Sequence, residues 1–225
     1  MKLYYHPVST TCRPIVQFAA ESGIALDYQL VDLFKGEHLE APYCSVNPNS
    51  CVPLLQDGDF RLGECSAILK YLADSVKSPA YPTELKQRAR VNERMDWFNT
   101  GFYRDFGYGL LYPQILPHYK NQDAKVQSAV IAAGRERTKK WLTVLDAHVI
   151  GPKNRFVCGN DVTIADYFGA AMVTVGEVIR LDFAAYPNVR RWIGNVKALP
   201  GWAKANEGFY ANFVAPYKDA PFEGL

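Results

Sequence analysis

The chain has 225 residues, enough for one large or two ordinary domains at roughly 100 to 200 residues each. With 25 basic and 23 acidic residues the net charge is +2, so no bulk field draws it to nucleic acid or to an anionic membrane. At 48% hydrophobic it can build a substantial core, and its expected partners are small molecules or other protein chains.

The opening residues, Met1 to Pro7, lack the long apolar run of a signal peptide, and no apolar run approaches the ~20 residues that span a bilayer. A cytoplasmic protein with no membrane partner is expected. Leu3-Tyr4-Tyr5 is β-prone and ends in the loop His6 to Thr11, whose hydroxyl residues can cap a following helix. Ile15, Phe18 and Ala19 have helical spacing before a Gly23 stop, and Leu26 to Val31 alternates as a strand. Asp32 to Tyr43 reads as a polar, irregular stretch.

From Asn47 to Leu72 the pattern is strand, turn, strand, helix. Pro53 to Gln56 and Phe60 to Leu62 flank Asp57-Gly58-Asp59, a strong hairpin turn. Proline cannot donate to a ladder, so Pro53 belongs at a strand's start, and the Val52-Pro53 bond is a candidate cis bond that turns the Val52 main chain outward. A helix opening near Cys65 offers free N–H groups that suit a carboxylate. Together these features point to a site for a small peptide-like anion.

A strand, helix and strand in close succession pair in parallel, and the hairpin adds antiparallel strands, which gives a small α/β domain. Ser78 to Pro82 reads as a linker. Helical spacing then recurs over 84–101, 124–149, 164–178 and 189–198, with Thr163 and Asp166 at capping-box spacing. The expected division is an α/β domain at 1–77, a linker at 78–83 and an all-α domain at 84–225. The five cysteines are odd in number and lack CxxC spacing, which argues against a disulfide framework and against structural zinc, so reduced thiols and no metal are expected.

Ser9-Thr10-Thr11-Cys12-Arg13, Gly36-Glu37-His38, Val52-Pro53, the run Glu64 to Leu72, Thr163 to Asp166 and Pro187 to Trp192 together resemble the soluble glutathione S-transferases, most closely bacterial members similar to the theta class. The resemblance spans both halves. It implies a thioredoxin-like domain that binds glutathione as co-substrate, an all-helical domain that supplies a cavity for a hydrophobic electrophile, and a homodimer. The activity it implies is conjugation of the glutathione thiolate to such electrophiles.

A free thiol with a pKa near ~8.5 is only a few per cent thiolate at neutral pH. Lowering that pKa by ~2 units takes about 2.7 kcal/mol, which a hydroxyl donor beside a helix N-terminus can supply. Ser9 matches the family's activating serine; alone it would read as a helix N-cap, and Thr10, Tyr5 and Cys12 stand as alternative activators. Arg13 either steadies this loop or is a solvated helix charge. The resemblance assigns glutathione binding to His38, Val52, Pro53, Glu64 and Cys65. Two positions depart from it, since Cys65 replaces the usual serine and Cys51 the usual lysine, so weaker glutathione binding is expected, with His38 compensating for the lost charge.

The aromatic run Phe102 to Tyr112 supplies the electrophile site, with Tyr108 and Tyr112 on one helix face and Phe106 beside them; helix packing is the alternative use of each. Phe60 either wedges into a partner subunit or packs on its sheet. Two other functions fit the same scaffold: a glutathione-dependent reductase or peroxidase built on a cysteine, and a non-catalytic binding protein.

Overall fold

The computed structural model describes residues 1–225. Lys2–Tyr5 (β1) and Asp27–Leu30 (β2) pair in parallel, joined by the helix Arg13–Glu21 (α1), which carries Ile15, Phe18 and Ala19 into the core. Leu54–Asp57 (β3) runs antiparallel to β1 with Leu55 opposite Leu3, and Phe60–Leu62 (β4) closes the hairpin, for a sheet order β2-β1-β3-β4. The hairpin turn requires glycine: Gly58 has φ +59 with nothing near it, a backbone conformation that an L side chain adopts only under strain. Cys65–Ser75 (α3) buries Ile68, Leu69 and Leu72. This is a thioredoxin-like domain.

Asp32 to Tyr43 is more ordered than its polarity suggests. The Asp32 carboxylate accepts from the N–H groups of Phe34 and Lys35, the Glu37 carboxylate accepts from Asp32 N–H, and a short helix, Ala41–Cys44 (α2), follows. Such local acceptor bonds compete with regular structure, which is why apolar periodicity does not reveal them.

The rest of the chain is helical. Leu85–Asp96 (α4) continues through wider π-helical turns, Trp97–Phe102 and Arg104–Leu111, into Tyr112–Ile115 (α5). Ala124–Val144 (α6) crosses the 104–111 turns closely enough that a Cβ on Gly134 would lie 2.3 Å from the Gly109 carbonyl oxygen. Asp105, buried between them, accepts from Arg137 Nε at 2.9 Å and Trp141 Nε1 at 2.8 Å. Burial works against its charge, yet Trp141 and the two arginines beside it hold its carboxyl below the ordinary range. Ile164–Thr174 (α7) is buried along its whole length; the Thr163–Asp166 capping box closes its N-terminus, with Thr163 N–H donating to the carboxylate at 2.8 Å.

Pro187–Lys197 (α8) is followed by Trp202–Phe209 (α9) and further turns to Tyr217. This last helical stretch lies outside those expected from sequence, because Gly201 and Gly208 thin its apolar stripe. No helix is long and apolar enough to cross a membrane.

One apolar cluster runs without a break from Leu3 and Ile15 through Leu69 to Phe98, Trp192 and Phe209. Arg13 lies between the two halves and corrects the reading of it as a solvated charge, since it is only 1% exposed. Its guanidinium donates to Asn206 Oδ1 and to the Ala171 carbonyl, each at 2.6 Å, and sits 3.8 Å over the Phe209 ring. Burial pulls it down to about 10, so it keeps its charge at neutral pH.

Candidate active site

Loop 6–12 holds Ser9 by its main chain. Ser9 N–H donates to the His6 carbonyl at 3.0 Å, and the Ser9 carbonyl accepts from Cys12 and Arg13 at 3.0 and 3.1 Å as α1 begins. The His6 ring is recruited as well, because Nδ1 accepts from Val8 N–H; burial pulls this histidine below its ordinary pKa, which keeps Nδ1 free to accept. With its backbone engaged, Ser9 presents only its hydroxyl to the cleft.

The second wall is the segment before β3. The Val52-Pro53 bond is cis. Both lone pairs of the Cys51 carbonyl are engaged, by the Tyr43 hydroxyl and by Asn47 Nδ2 at 2.7 Å each, and Asn47 is itself buried. Thr11 Oγ1 joins the two walls, lying 3.2 Å from Ser9 Oγ and donating to the Val52 carbonyl at 3.3 Å. The Val52 N–H has no partner within the protein. An extended ligand can pair with it as it would with an edge strand.

Ser9, Thr10, Val52, Cys51 and His38 border a cavity of about 520 Å³, whose opposite side is formed by Tyr103, Tyr108, Tyr112 and Tyr119. Leu33, Phe34, Leu116 and Phe213 complete an apolar lining. The four tyrosine rings stack edge to face or in parallel at 5.2 to 6.0 Å. Burial, together with neighbouring phenols, pushes Tyr108 up to about 12, so it stays neutral. His38 is half-buried, and its Nδ1 makes no bond to the protein.

Glu64 and Cys65 lie at the N-terminus of α3, beyond the lining of this cavity. Glu64 is exposed with φ 60 and ψ 115, a sparsely populated conformation for a side-chain-bearing residue that costs about 1–3 kcal/mol. Its charge still reaches Cys51, whose thiol is raised first by burial and then by Glu64. No side chain caps α3, so its first N–H groups have no side-chain partner. Cys65 is 3% exposed, so its thiol is not accessible.

Phe106 is not brought to the cavity. It is fully buried, packed on Phe102 at 4.8 Å and filling the space left by Gly176. Tyr5 likewise stands away from the cleft, beside Tyr28. Burial pushes the Cys12 thiol up to about 12 and Cys65 well above the ordinary range, so neither is a thiolate at neutral pH. Tyr103, Thr11 and Asn47 were not singled out from sequence. Asn47 carried a faint signal as a polar residue fixing a tight loop ahead of a proline. Tyr103 carried none, because residues five apart share a face only where the helix is wound wider than an α-helix.

A thioredoxin-like domain with an unpaired Val52 N–H is thus joined to a helical domain with an aromatic cavity beside a serine hydroxyl. Residues 1–74 match the model of the glutathione S-transferase N-terminal domain and residues 110–200 that of the C-terminal domain. The chain is 33% identical over 205 residues to bovine (Bos taurus) glutathione S-transferase theta-1, covering 89% of this chain and 84% of that protein.

Among solved structures, human glutathione transferase theta-2 in complex with glutathione superposes with a TM-score of 0.85 at 29% identity, over 97% of this chain and 89% of that one. A delta-class glutathione transferase from Nilaparvata lugens superposes with a TM-score of 0.80 at 32% identity, over 96% and 98%. The chain belongs to the glutathione S-transferase family, with similarity to the theta class. It is an enzyme of the glutathione transferase type.

Proposed function

We propose that the protein conjugates glutathione to hydrophobic, largely planar electrophiles, with Ser9 as the hydroxyl that stabilises the thiolate. The supporting observation is Ser9 itself, whose main chain is fully bonded and whose hydroxyl borders the cavity between the Val52 segment and the tyrosine wall. With Thr11 donating to Val52, the Ser9 O–H points at Thr11 Oγ1 and turns from it to the sulfur as charge develops. The N-terminus of α1 adds partial positive charge on the same side.

Glutathione, extended along the Val52 segment, pairs its cysteinyl carbonyl with the Val52 N–H and reaches the uncapped N–H groups of α3 with its γ-glutamyl carboxylate. Glu64 receives the γ-glutamyl ammonium, a role that accounts for the strained backbone of an exposed residue. His38 takes the glycyl carboxylate. Residues 1–77 act as the glutathione domain, 78–83 as the linker and 84–225 as the electrophile domain. The enzyme works in the cytoplasm as a homodimer, with the half-exposed Phe60, 5.5 Å from Tyr71, as the candidate wedge between subunits. The burial of Cys12 and Cys65 removes support from a cysteine-based reductase.

The test is the thiolate absorbance that develops on titrating the protein with glutathione, followed by turnover with aryl and alkyl halides. Ser9→Ala should abolish the absorbance and reduce turnover by about 10²-fold, in line with the ~2 pKa units required. Retained absorbance and turnover in that variant would remove Ser9 from the mechanism.

A further inference from the structure

A second cavity, of about 370 Å³, lies against β2 and α2 and shares no lining residue with the first. The Tyr4 and Tyr43 rings form one corner of it, with centroids 5.9 Å apart and planes at 58°. Each ring is held by its hydroxyl, Tyr4 donating to Gln56 Oε1 at 3.3 Å and Tyr43 to the Cys51 carbonyl at 2.7 Å. Its charge comes from Glu37 and Glu40, and no cationic side chain borders it. Glu37 Oε2 accepts from Asp32 N–H at 2.7 Å, and neither glutamate is in an ion pair. Lys35, whose charge reaches Glu37, is paired with Asp32 at 3.1 Å.

Electron-rich rings beside free carboxylates attract a cation, and Leu30, Val31 and Val46 around them favour one that also carries apolar surface. The Tyr4 ring already draws a cation, since Lys2 Nζ lies 5.8 Å from its centroid without bordering the cavity. The same walls reach the glutathione side. Val31 and Tyr43 pack with Cys12 and Val52 in a small buried cluster of their own, and Val52 borders the first cavity. The Cys51 carbonyl, held by Tyr43, and the Val52 N–H belong to one planar peptide. A bond accepted at one end of that peptide fixes and polarises the other.

We propose that this second cavity is a regulatory site for a small organic ammonium ion with an apolar body, whose binding strengthens the binding of glutathione. The inference rests on glutathione pairing with the Val52 N–H. The ammonium group lies between the Glu37 and Glu40 carboxylates, and the apolar body packs on Tyr4 and Tyr43. A filled cavity confines the Tyr43 ring, which keeps its hydroxyl on the Cys51 carbonyl and holds the Val52 N–H ready for its partner. Linkage makes the effect reciprocal, so bound glutathione tightens the ammonium ion by the same factor.

The experiment titrates the protein calorimetrically with benzylammonium and with benzyl alcohol, its neutral counterpart, and then with glutathione in the absence and presence of saturating benzylammonium. The ammonium should bind about 10-fold more tightly than the alcohol. The double variant Glu37→Gln, Glu40→Gln keeps an acceptor for Asp32 N–H and deletes both charges, so it should lose that preference. Benzylammonium should tighten glutathione by about 5-fold, and Tyr43→Phe should abolish this coupling while still binding the ammonium. Equal affinity for the two probes, or a preference that survives in the double variant, would overturn the site. Glutathione affinities that agree within about twofold with and without benzylammonium would overturn its regulatory role. Glutathione that binds in neither state would overturn its placement along Val52 together with that role, while the probe titrations score the site by itself.

Discussion

Replacing Arg13 by methionine keeps much of the aliphatic stem and deletes the guanidinium that bridges the two halves of the protein. Two buried acceptors, Asn206 Oδ1 and the Ala171 carbonyl, then lose donors at 2.6 Å; leaving Asn206 Oδ1 unpaired costs about 1–3 kcal/mol, and weakening the bonding of the Ala171 carbonyl adds to it. Stacking on Phe209 at 3.8 Å contributes about 0.5–2 kcal/mol more. Against this, removing a buried charge returns its desolvation penalty, a gain of several kcal/mol that can cancel an ion's attractions when the replacement packs well.

Asn206 Oδ1 decides the sign here, because Arg13 is its only side-chain donor, whereas the Ala171 carbonyl keeps a long bond from Thr174 Oγ1 at 3.4 Å. A net loss of about 3 kcal/mol is expected for Arg13→Met, measured as a lower midpoint in urea unfolding followed by tryptophan fluorescence. Adding Asn206→Leu removes one orphan and should recover about 1 kcal/mol. An Arg13→Met protein as stable as its parent, or more stable, would refute the reasoning by showing that desolvation outweighs the bonds.

Other expectations concern sites where the packing leaves little freedom. Gly134→Ala places a methyl group against the Gly109 carbonyl and should destabilise by about 2–3 kcal/mol in the same unfolding assay, with weaker electrophile binding as the 104–111 turns shift. Asp166→Asn sets an amide NH₂ against a site of four donors, from Val157, Thr163 twice and Trp192, and should cost about 3–5 kcal/mol, read as a large fall in Tm. In native protein at neutral pH, iodoacetamide should modify the exposed Cys51 and leave Cys12 and Cys65 unreacted until unfolding; mass mapping of early labelling at Cys12 would reopen the cysteine-based reading.

Much of the fold is legible in residue patterns because each element follows its own periodicity. Leu3 and Leu55 face each other in the sheet, Asp57-Gly58-Asp59 turns the hairpin, and Thr163 with Asp166 starts α7. The loop carrying Ser9 and the Val52-Pro53 segment are visible for the same reason, since hydroxyls and prolines mark loops. What sequence hides is set by long-range partners or by unusual winding. Arg13 reads as a surface charge until α7 and α9 enclose it. Phe106, two residues from Tyr108, lies on the opposite face and packs into the core, while π-helical winding brings Tyr103 to the cavity. Glu64 shows its strain only in its backbone angles.

The contact between Gly109 and Gly134 fixes the helical wall by main chain alone: a carbonyl of one helix rests on the bare Cα of another, with no side chain between them. The wall's position is therefore independent of which residues it presents to the cavity. Tyr108 and Tyr112 can be exchanged for other side chains while the rail that carries them stays in place. Such an arrangement separates the part of the protein that must remain constant from the part that can be rewritten, so the lining of the cavity is open to single substitutions on the wall.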